Sequence, residues 1–465
     1  MPMSSLVARS LKKMQGLWVK KSVAHKPLDA RALERARAQL QECARGAGGE
    51  VSARQRARRL GESYLQLDDA GRHAFLRLIA TEFGPDPQGV AAAYARYQAS
   101  IGTPAQWDAE ALLWRALRSP RTRILTQFNA LPQGVRFLVD LRVDLLRFIR
   151  EDAELASLDR ELEHSLSIWF DVGFLELKRI TWHSPAALLE KLILYEAVHA
   201  IHSWTDLKNR LDSDRRCYGF FHPRMPDEPL IFVEVALTDH LADNIQDLLD
   251  EHAPVFDARA ADTAIFYSIS NTQTGLRGVS FGNFLLKRVI EDLKRDFPQL
   301  RQFSTLSPLP LLRRWAEKTP ECWEHAFLSG DLERIGKLAH CPPTREGVQS
   351  LLATQEWAAN PRLARAFFAP LTRLAAHYLL TAKAGERRIY DPVARFHLGN
   401  GARIERLNFL ADRSPKGLQQ AYGMMVNYLY VPDDIEENVE ALLAEGKIAT
   451  RIRDPIRERE KITKK

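Results

Sequence analysis

The sequence predicts an α+β protein in which an all-helical bundle precedes a mixed domain of short strands and helices. Three observations carry this. From about residue 28 to 180, apolar residues recur at three- and four-residue spacing, as in ALERARAQLQECARG (32–46) and VRFLVDLRVDLLRFIRE (135–151). After residue 184, short β-branched and aromatic runs appear: CYGFF (217–221), LIFVEVAL (230–237) and TAIFYSIS (263–270). The last run leads through a glycine-punctuated loop, TGLRGVSFG (274–282), into the helical pattern NFLLKRVIEDLKRDF (283–297).

In chain order, breakers at Gly48-Gly49, Gly84-Pro85, Thr103-Pro104 and Leu131-Pro132 divide the first half into helices. Phe137, Leu138, Leu141, Val143, Leu145, Leu146 and Phe148 make a broad apolar face, which suits a bundle with a binding or association role. The segment 184–201 predicts one helix, with Ser184 as N-cap and Pro185 in the first turn. Helices are expected over about 310–380, and strands return at RIERLNF (403–409) and MVNYLYV (425–431). At 465 residues the chain has room for two or three domains. The predicted division is a basic tail over 1–26, a helical domain over 27–183, a catalytic domain over 184–445 and a second basic tail over 446–465.

The net charge of +7 sits at the ends: residues 1–26 carry six cations and no acid, and 446–465 carry eight cations and three acids, leaving the body at −4. A nucleic-acid-binding fold carries its basic stripe on the fold itself, so no nucleic-acid partner is expected. Cys43, Cys217, Cys322 and Cys341 are far apart, which fits free thiols in a reducing compartment. No apolar run is long enough to span a membrane, and the expected location is the cytoplasm. The acid-free first 26 residues leave the mitochondrial matrix as the alternative.

Each candidate site has a plain structural alternative. Gly275, Gly278 and Gly282 allow a tight backbone before a helix N-terminus, which suits a pyrophosphate or an ordinary strand–helix turn. The spacing is neither a P-loop nor a dinucleotide fingerprint. It is closer to the Gln/Arg-x-x-Gly-x-Gly loop of the GCN5-related acetyltransferase fold, with Gln273 or Arg277 as the lead residue. Glu196, His199 and His202 stand three residues apart on the predicted helix; the third swings off the common face, so a structural pair is favoured over a metal site. Ser307 before Pro308 reads first as a helix N-cap, and the same geometry also places a hydroxyl where a carboxylate could bind. His397 precedes Asn400-Gly401, a turn into a strand, and so stands at an element end suited to a cleft. Arg215-Arg216 and Lys287/Arg288 read as solvated faces, the first pair also able to steer an anion.

Together these stretches resemble the malonyl-CoA decarboxylase family. The resemblance rests on EAVHAIHSWTDLKNRL (196–211), RRCYGFFHPRMPDEPLIFVEVALT (215–238), AIFYSISNTQTGLRGVSFGNFLLKRV (264–289), FSTLSPLP (303–310), PVARFHLGNGA (392–402) and NYLY (427–430). It implies a helical domain for association into a dimer or tetramer and a catalytic domain of the GCN5-related acetyltransferase (GNAT) fold. It also implies cofactor-free conversion of malonyl-CoA to acetyl-CoA and CO2, with no metal. Carried over by motif, the catalytic residues are Ser307, His397 and Tyr430, the tyrosine bracing the histidine. The acyl-CoA-binding loop is Arg277, Gly278, Val279, Ser280, Phe281, Gly282 and Asn283. Animal members carry a glutamate where Ser280 stands, so no role of that carboxylate transfers. A CoA-dependent acyltransferase and a non-catalytic acyl-CoA sensor or scaffold are the competing functions.

Overall fold

The first half of the chain is helical, and its breakers fall between helices. The computed structural model describes residues 26–45, 50–279, 285–385 and 388–454. The helices are α1 (Ala30–Arg45), α2 (Glu50–Leu65), α3 (Asp69–Glu82), α4 (Pro87–Ser100), α5 (Gln106–Leu117), α6 (Pro120–Asn129), α7 (Gly134–Phe148) and α8 (Ala156–Trp169). Gly84-Pro85, Thr103-Pro104 and Leu131-Pro132 each separate two of them; Gly48-Gly49 lies outside the described residues. Asp68, Asp86 and Ser119 cap α3, α4 and α6 by accepting first-turn N–H groups. On α7, Leu138, Leu141 and Leu145 are buried, but Val143 is exposed. The apolar stripe is therefore narrower than the sequence suggests, and Arg142 and Asp144 are buried among it. Asp144 accepts from Arg72 and from the Tyr64 hydroxyl, each at 2.9 Å.

The chain divides into two units: Met1–Phe174 with His222–Pro226 and Gln273–Ser280, and Leu175–Phe221 with Asp227–Thr272 and Phe281–Lys465. The second is a mixed sheet with helices, so the α+β class is the one observed. Its strands are β1 (Glu176–Ile180), β2 (Arg215–His222), β3 (Met225–Thr238), β4 (Thr263–Asn271), β5 (Gln302–Thr305), β6 (Ser307–Pro308), β7 (Lys383–Ala384), β8 (Arg388–Ile389), β9 (Arg403–Asn408) and β10 (Met425–Tyr430). The main sheet has the order β1-β2-β3-β4-β5-β10-β6, with β9 also on β10; β7 and β8 pair separately. β4 and β5 are parallel, as a strand–helix–strand crossover requires. The helices used below are α9 (Ala186–Tyr195), α10 (Leu285–Asp296), which makes that crossover, α11 (Leu312–Lys318), α12 (Pro361–Thr381) and α13 (Pro392–Gly399). All of β2 from Arg215 to Phe221 and all of β10 are buried. One core cluster gathers Ile180, Leu189, Leu192, Leu207 and Phe232, and another gathers Ala236, Ile265, Tyr267, Leu306 and Met425.

Three local expectations are corrected. The helix predicted to run to 201 stops at Tyr195. Glu196 turns out of it, and its carboxylate accepts the N–H groups of Val198 and His199, each at 2.8 Å, and the hydroxyls of Ser268 and Ser270. Glu196, His199 and His202 therefore do not share a helix. Ser307 is not an N-cap: it pairs with Val426 in the sheet, and α11 starts only at Leu312. Arg215 and Arg216 are buried, not solvated. Arg215 pairs with Asp214 at 2.6 Å, while Arg216 donates to two backbone carbonyls and lies over the Phe297 ring.

Candidate active site

Ser307, His397 and Tyr430 meet in the second unit. β5 ends at Thr305, and Leu306 turns aside, donating its N–H to the Phe266 carbonyl at 3.1 Å. Side-chain alternation places Thr305 and Ser307 on the same side, and Ser307 Oγ donates to Thr305 Oγ1 at 2.8 Å. His397 comes from the last turn of α13. Asp391 starts that helix by accepting the N–H groups of Val393 and Ala394, each at 2.9 Å, and its other oxygen accepts the Tyr378 hydroxyl of α12 at 2.8 Å. The helix ends at Asn400, followed by Gly401 at φ +81°, where an added Cβ would lie 2.4 Å from the Ile435 carbonyl oxygen. Only glycine fits that turn, which sets the exit of the histidine helix.

His397 Nε2 lies 3.2 Å from Ser307 Oγ, and Nδ1 lies 2.8 Å from the Tyr430 hydroxyl. The Tyr428 ring stacks on the imidazole with centroids 4.7 Å apart and planes at 24°. The Tyr428 N–H donates to Thr305 Oγ1 at 3.2 Å, so strand β10 and the Ser307 hydroxyl share one anchor. Ser307, His397 and Tyr430 are 5%, 3% and 2% exposed, so water scarcely screens the chain they form. Burial lowers His397 to about 3 and holds the Tyr430 phenol well above its ordinary value. Both groups are therefore neutral at physiological pH. The arrangement offers polarised neutral donors in a dry setting, suited to orienting a carboxylate and moving a proton.

The predicted loop residues lie in the first unit as far as they are described. Arg277 is exposed, Gly278 has φ +89°, and Val279 is buried; Ser280, Phe281, Gly282 and Asn283 lie outside the described residues. Arg142 of α7 holds this loop. It donates to the carbonyls of Gly275 at 3.0 Å and Arg277 at 2.7 Å, while pairing with Asp159 at 2.9 Å and Glu163 at 2.6 Å. A Cβ on Gly275 would lie 2.0 Å from the Val139 carbonyl oxygen, and one on Gly278 would lie 2.8 Å from Glu163 Oε1. Contact with the Val139 backbone thus requires glycine at 275, and the left-handed backbone at φ +89° requires it at 278. Arg142, Thr305, Tyr428 and Asp391 were not singled out by the sequence. Thr305 alone left a legible signal: it stands two residues before Ser307 in an extended segment.

Among the described residues no group of three His, Cys, Asp or Glu side chains is placed to hold a metal ion, and no helix is long and apolar enough to cross a membrane.

Residues 173–465 match the sequence profile of the malonyl-CoA decarboxylase C-terminal domain, and residues 83–170 match that of its N-terminal domain. The chain belongs to the malonyl-CoA decarboxylase family. It is accordingly an enzyme of the lyase class. The mitochondrial malonyl-CoA decarboxylase of Anser anser anser is 38% identical over 401 residues, covering 82% of this chain and 78% of the goose protein. That of Rattus norvegicus is 39% identical over 352 residues, covering 71% of this chain and 69% of its own. The crystal structure of malonyl-CoA decarboxylase from Rhodopseudomonas palustris superposes with a TM-score of 0.81 at 41% identity, covering 92% of this chain and 99% of that one. The family match thus extends over both halves of the chain, including the helical half where single motifs were least specific.

Proposed function

We propose that this chain decarboxylates malonyl-CoA to acetyl-CoA and CO2 using only its own side chains. The observation that carries this reading is the buried hydrogen-bond chain Ser307–His397–Tyr430 with its neutral imidazole. The bond from C2 of the malonyl group to its carboxylate breaks, CO2 leaves, and the electron pair moves into the thioester as an enolate. A proton then goes to C2. The thioester is itself the electron sink, so this route needs no metal, biotin or thiamine. Neutral donors orient the carboxylate without an ion pair that would stabilise the ground state more than the transition state. A donor aimed at the thioester oxygen contributes about 3 kcal/mol to the enolate-like transition state. Ser307 and His397 are the groups that hold the carboxylate and return the proton, Tyr430 braces the imidazole, and Arg277 through Asn283 form the acyl-CoA loop.

The deciding experiment incubates the purified chain with malonyl-CoA and a chelator. Acetyl-CoA and CO2 in equal amounts support the reading. Release of free CoA only with an amine acceptor would indicate an acyltransferase, and binding without turnover a sensor. Self-association through the helical unit belongs to the same reading. It is supported by Trp107 and Trp114 of α5, which are 73% and 65% exposed. Replacing both with serine should reduce the mass measured by light scattering.

A further inference from the structure

The site contains one hydroxyl that the reading above leaves without a task. Thr305 is fully buried at the end of β5. Its Oγ1 accepts two hydrogen bonds: from the Tyr428 N–H at 3.2 Å, a donor that cannot reverse, and from Ser307 Oγ at 2.8 Å. Two lone pairs are thereby occupied. The Ser307 proton points at Thr305, so the face of Ser307 Oγ turned to His397 is an acceptor. His397 Nε2 stands 3.2 Å from that acceptor. We propose that Thr305 is a positioning residue that sets the direction of the whole chain: by taking the Ser307 proton it requires His397 to carry its own proton on Nε2, so that Nδ1 accepts from Tyr430. The order is Tyr430 O–H to Nδ1, Nε2–H to Ser307 Oγ, and Ser307 O–H to Thr305 Oγ1.

The consequence is chemical. A proton that leaves Nε2 for carbon is replaced at Nδ1 by the Tyr430 proton, so the ring ends neutral, and the Tyr430 oxygen, whose phenol burial holds well above its ordinary value, takes a proton back from solvent to complete the turnover. In the reverse order Nε2 would be a bare acceptor, with no proton to give. The Tyr428 bond to the same Thr305 oxygen also fixes the ring that stacks on the imidazole. One side chain therefore sets both the proton order and the ring plane. This inference rests on the proposed decarboxylase reading only for its catalytic consequence, since the proton order is a property of the resting protein.

The test is long-range proton–nitrogen correlation NMR on the full chain labelled with ¹⁵N-histidine at pH 7, with the His397 signals assigned by their loss in His397→Gln. Burial keeps the ring neutral there, so the two tautomers give distinct patterns. The wild type should show Nε2–H. Thr305→Val keeps the shape and removes the acceptor; it should switch His397 to Nδ1–H and lower turnover by about 10²-fold. Thr305→Ser should restore both. Tyr430→Phe removes the partner of Nδ1 and should still show Nε2–H, because the order is set from the Thr305 side. Retention of Nε2–H in Thr305→Val, or a switch to Nδ1–H in Tyr430→Phe, overturns the proposal, and the second variant decides if the first does not fold. A wild type that shows Nε2–H but does not decarboxylate malonyl-CoA would defeat the functional reading and leave the proton order standing.

Discussion

His397 is a base that its surroundings keep unprotonated. Burial lowers it to about 3, whereas the unfolded chain takes up this proton near pH 6.5. The folded form therefore binds fewer protons than the unfolded form between those values, and the stability this burial permits is lost as pH falls from about 6.5 towards 3. Urea midpoints at pH 7 and pH 4.5 check this: the difference between wild type and His397→Gln should move in favour of the variant on acidification. His397→Ala and Ser307→Ala should each lower turnover by about 10²-fold or more while circular dichroism stays that of the wild type. Near-normal turnover in either would remove that residue from the chemistry. At this scale the sequence was informative where chemistry and motif coincide. Ser307 and His397 stand out in the linear pattern, Tyr430 only through the family resemblance, and the three lie within hydrogen-bond reach. Asp391 and Tyr378 left no such trace, because their bond joins two helix ends that are adjacent only after folding.

Elements placed these residues differently from the linear pattern in two places, each for a local reason. The α9 periodicity runs on through Val198, yet Glu196 ends the helix because its carboxylate finds four better donors, two of them on β4. The Ser-Pro pair matches a helix start, yet β10 offers Ser307 a ladder partner, so tertiary pairing overrides a capping preference worth about 1 kcal/mol. The strands at 263–270 and 425–430 are legible because their β-branched and aromatic content agrees with burial, whereas 403–408 offers only Ile404 and is mostly half-buried. Arg142 is hidden in an apolar stripe of α7, although its planar guanidinium holds Asp159 through Nε and Glu163 through Nη2 while Nη1 donates to the Gly275 and Arg277 carbonyls. Arg142→Lys keeps the charge and loses the fork. It should raise KM for malonyl-CoA by about tenfold while changing kcat by less than about threefold. A fall in kcat with KM unchanged would separate this loop from substrate binding.

At the scale of the whole molecule, part of the C-terminal charged end is built into the fold. Residues 455–465 lie outside the described part, whereas 449–454 are bonded to β9 and α12 within the second unit. Ile404 N–H donates to the Ala449 carbonyl at 2.9 Å, Arg451 N–H donates to the Ile404 carbonyl at 2.8 Å, and Asp454 contacts His377 at 3.0 Å. The reference is a chain ended at 454. One ended at 445 should melt lower by about 2–4 °C or more, since it loses the edge of β9 and leaves buried groups unpaired. Equal melting of the two would show that the 449–454 segment adds nothing. Charge arithmetic located the basic ends but could not show that part of the second one is structural, because a strand bridge of a few residues has no compositional mark.

The pairing of β10 with β9 is irregular between Asn427 and Tyr428. Side chains in a strand reverse face with every residue, so one residue more or fewer inverts everything beyond it. Tyr428 and Tyr430 lie beyond that point and meet His397 from the same strand. The chain should therefore accept single-residue insertions in the 431–434 connection. It should reject a single deletion at 426–428, even one that leaves every catalytic residue in place by name. Length, at this one position, is as much a part of the catalytic specification as chemistry.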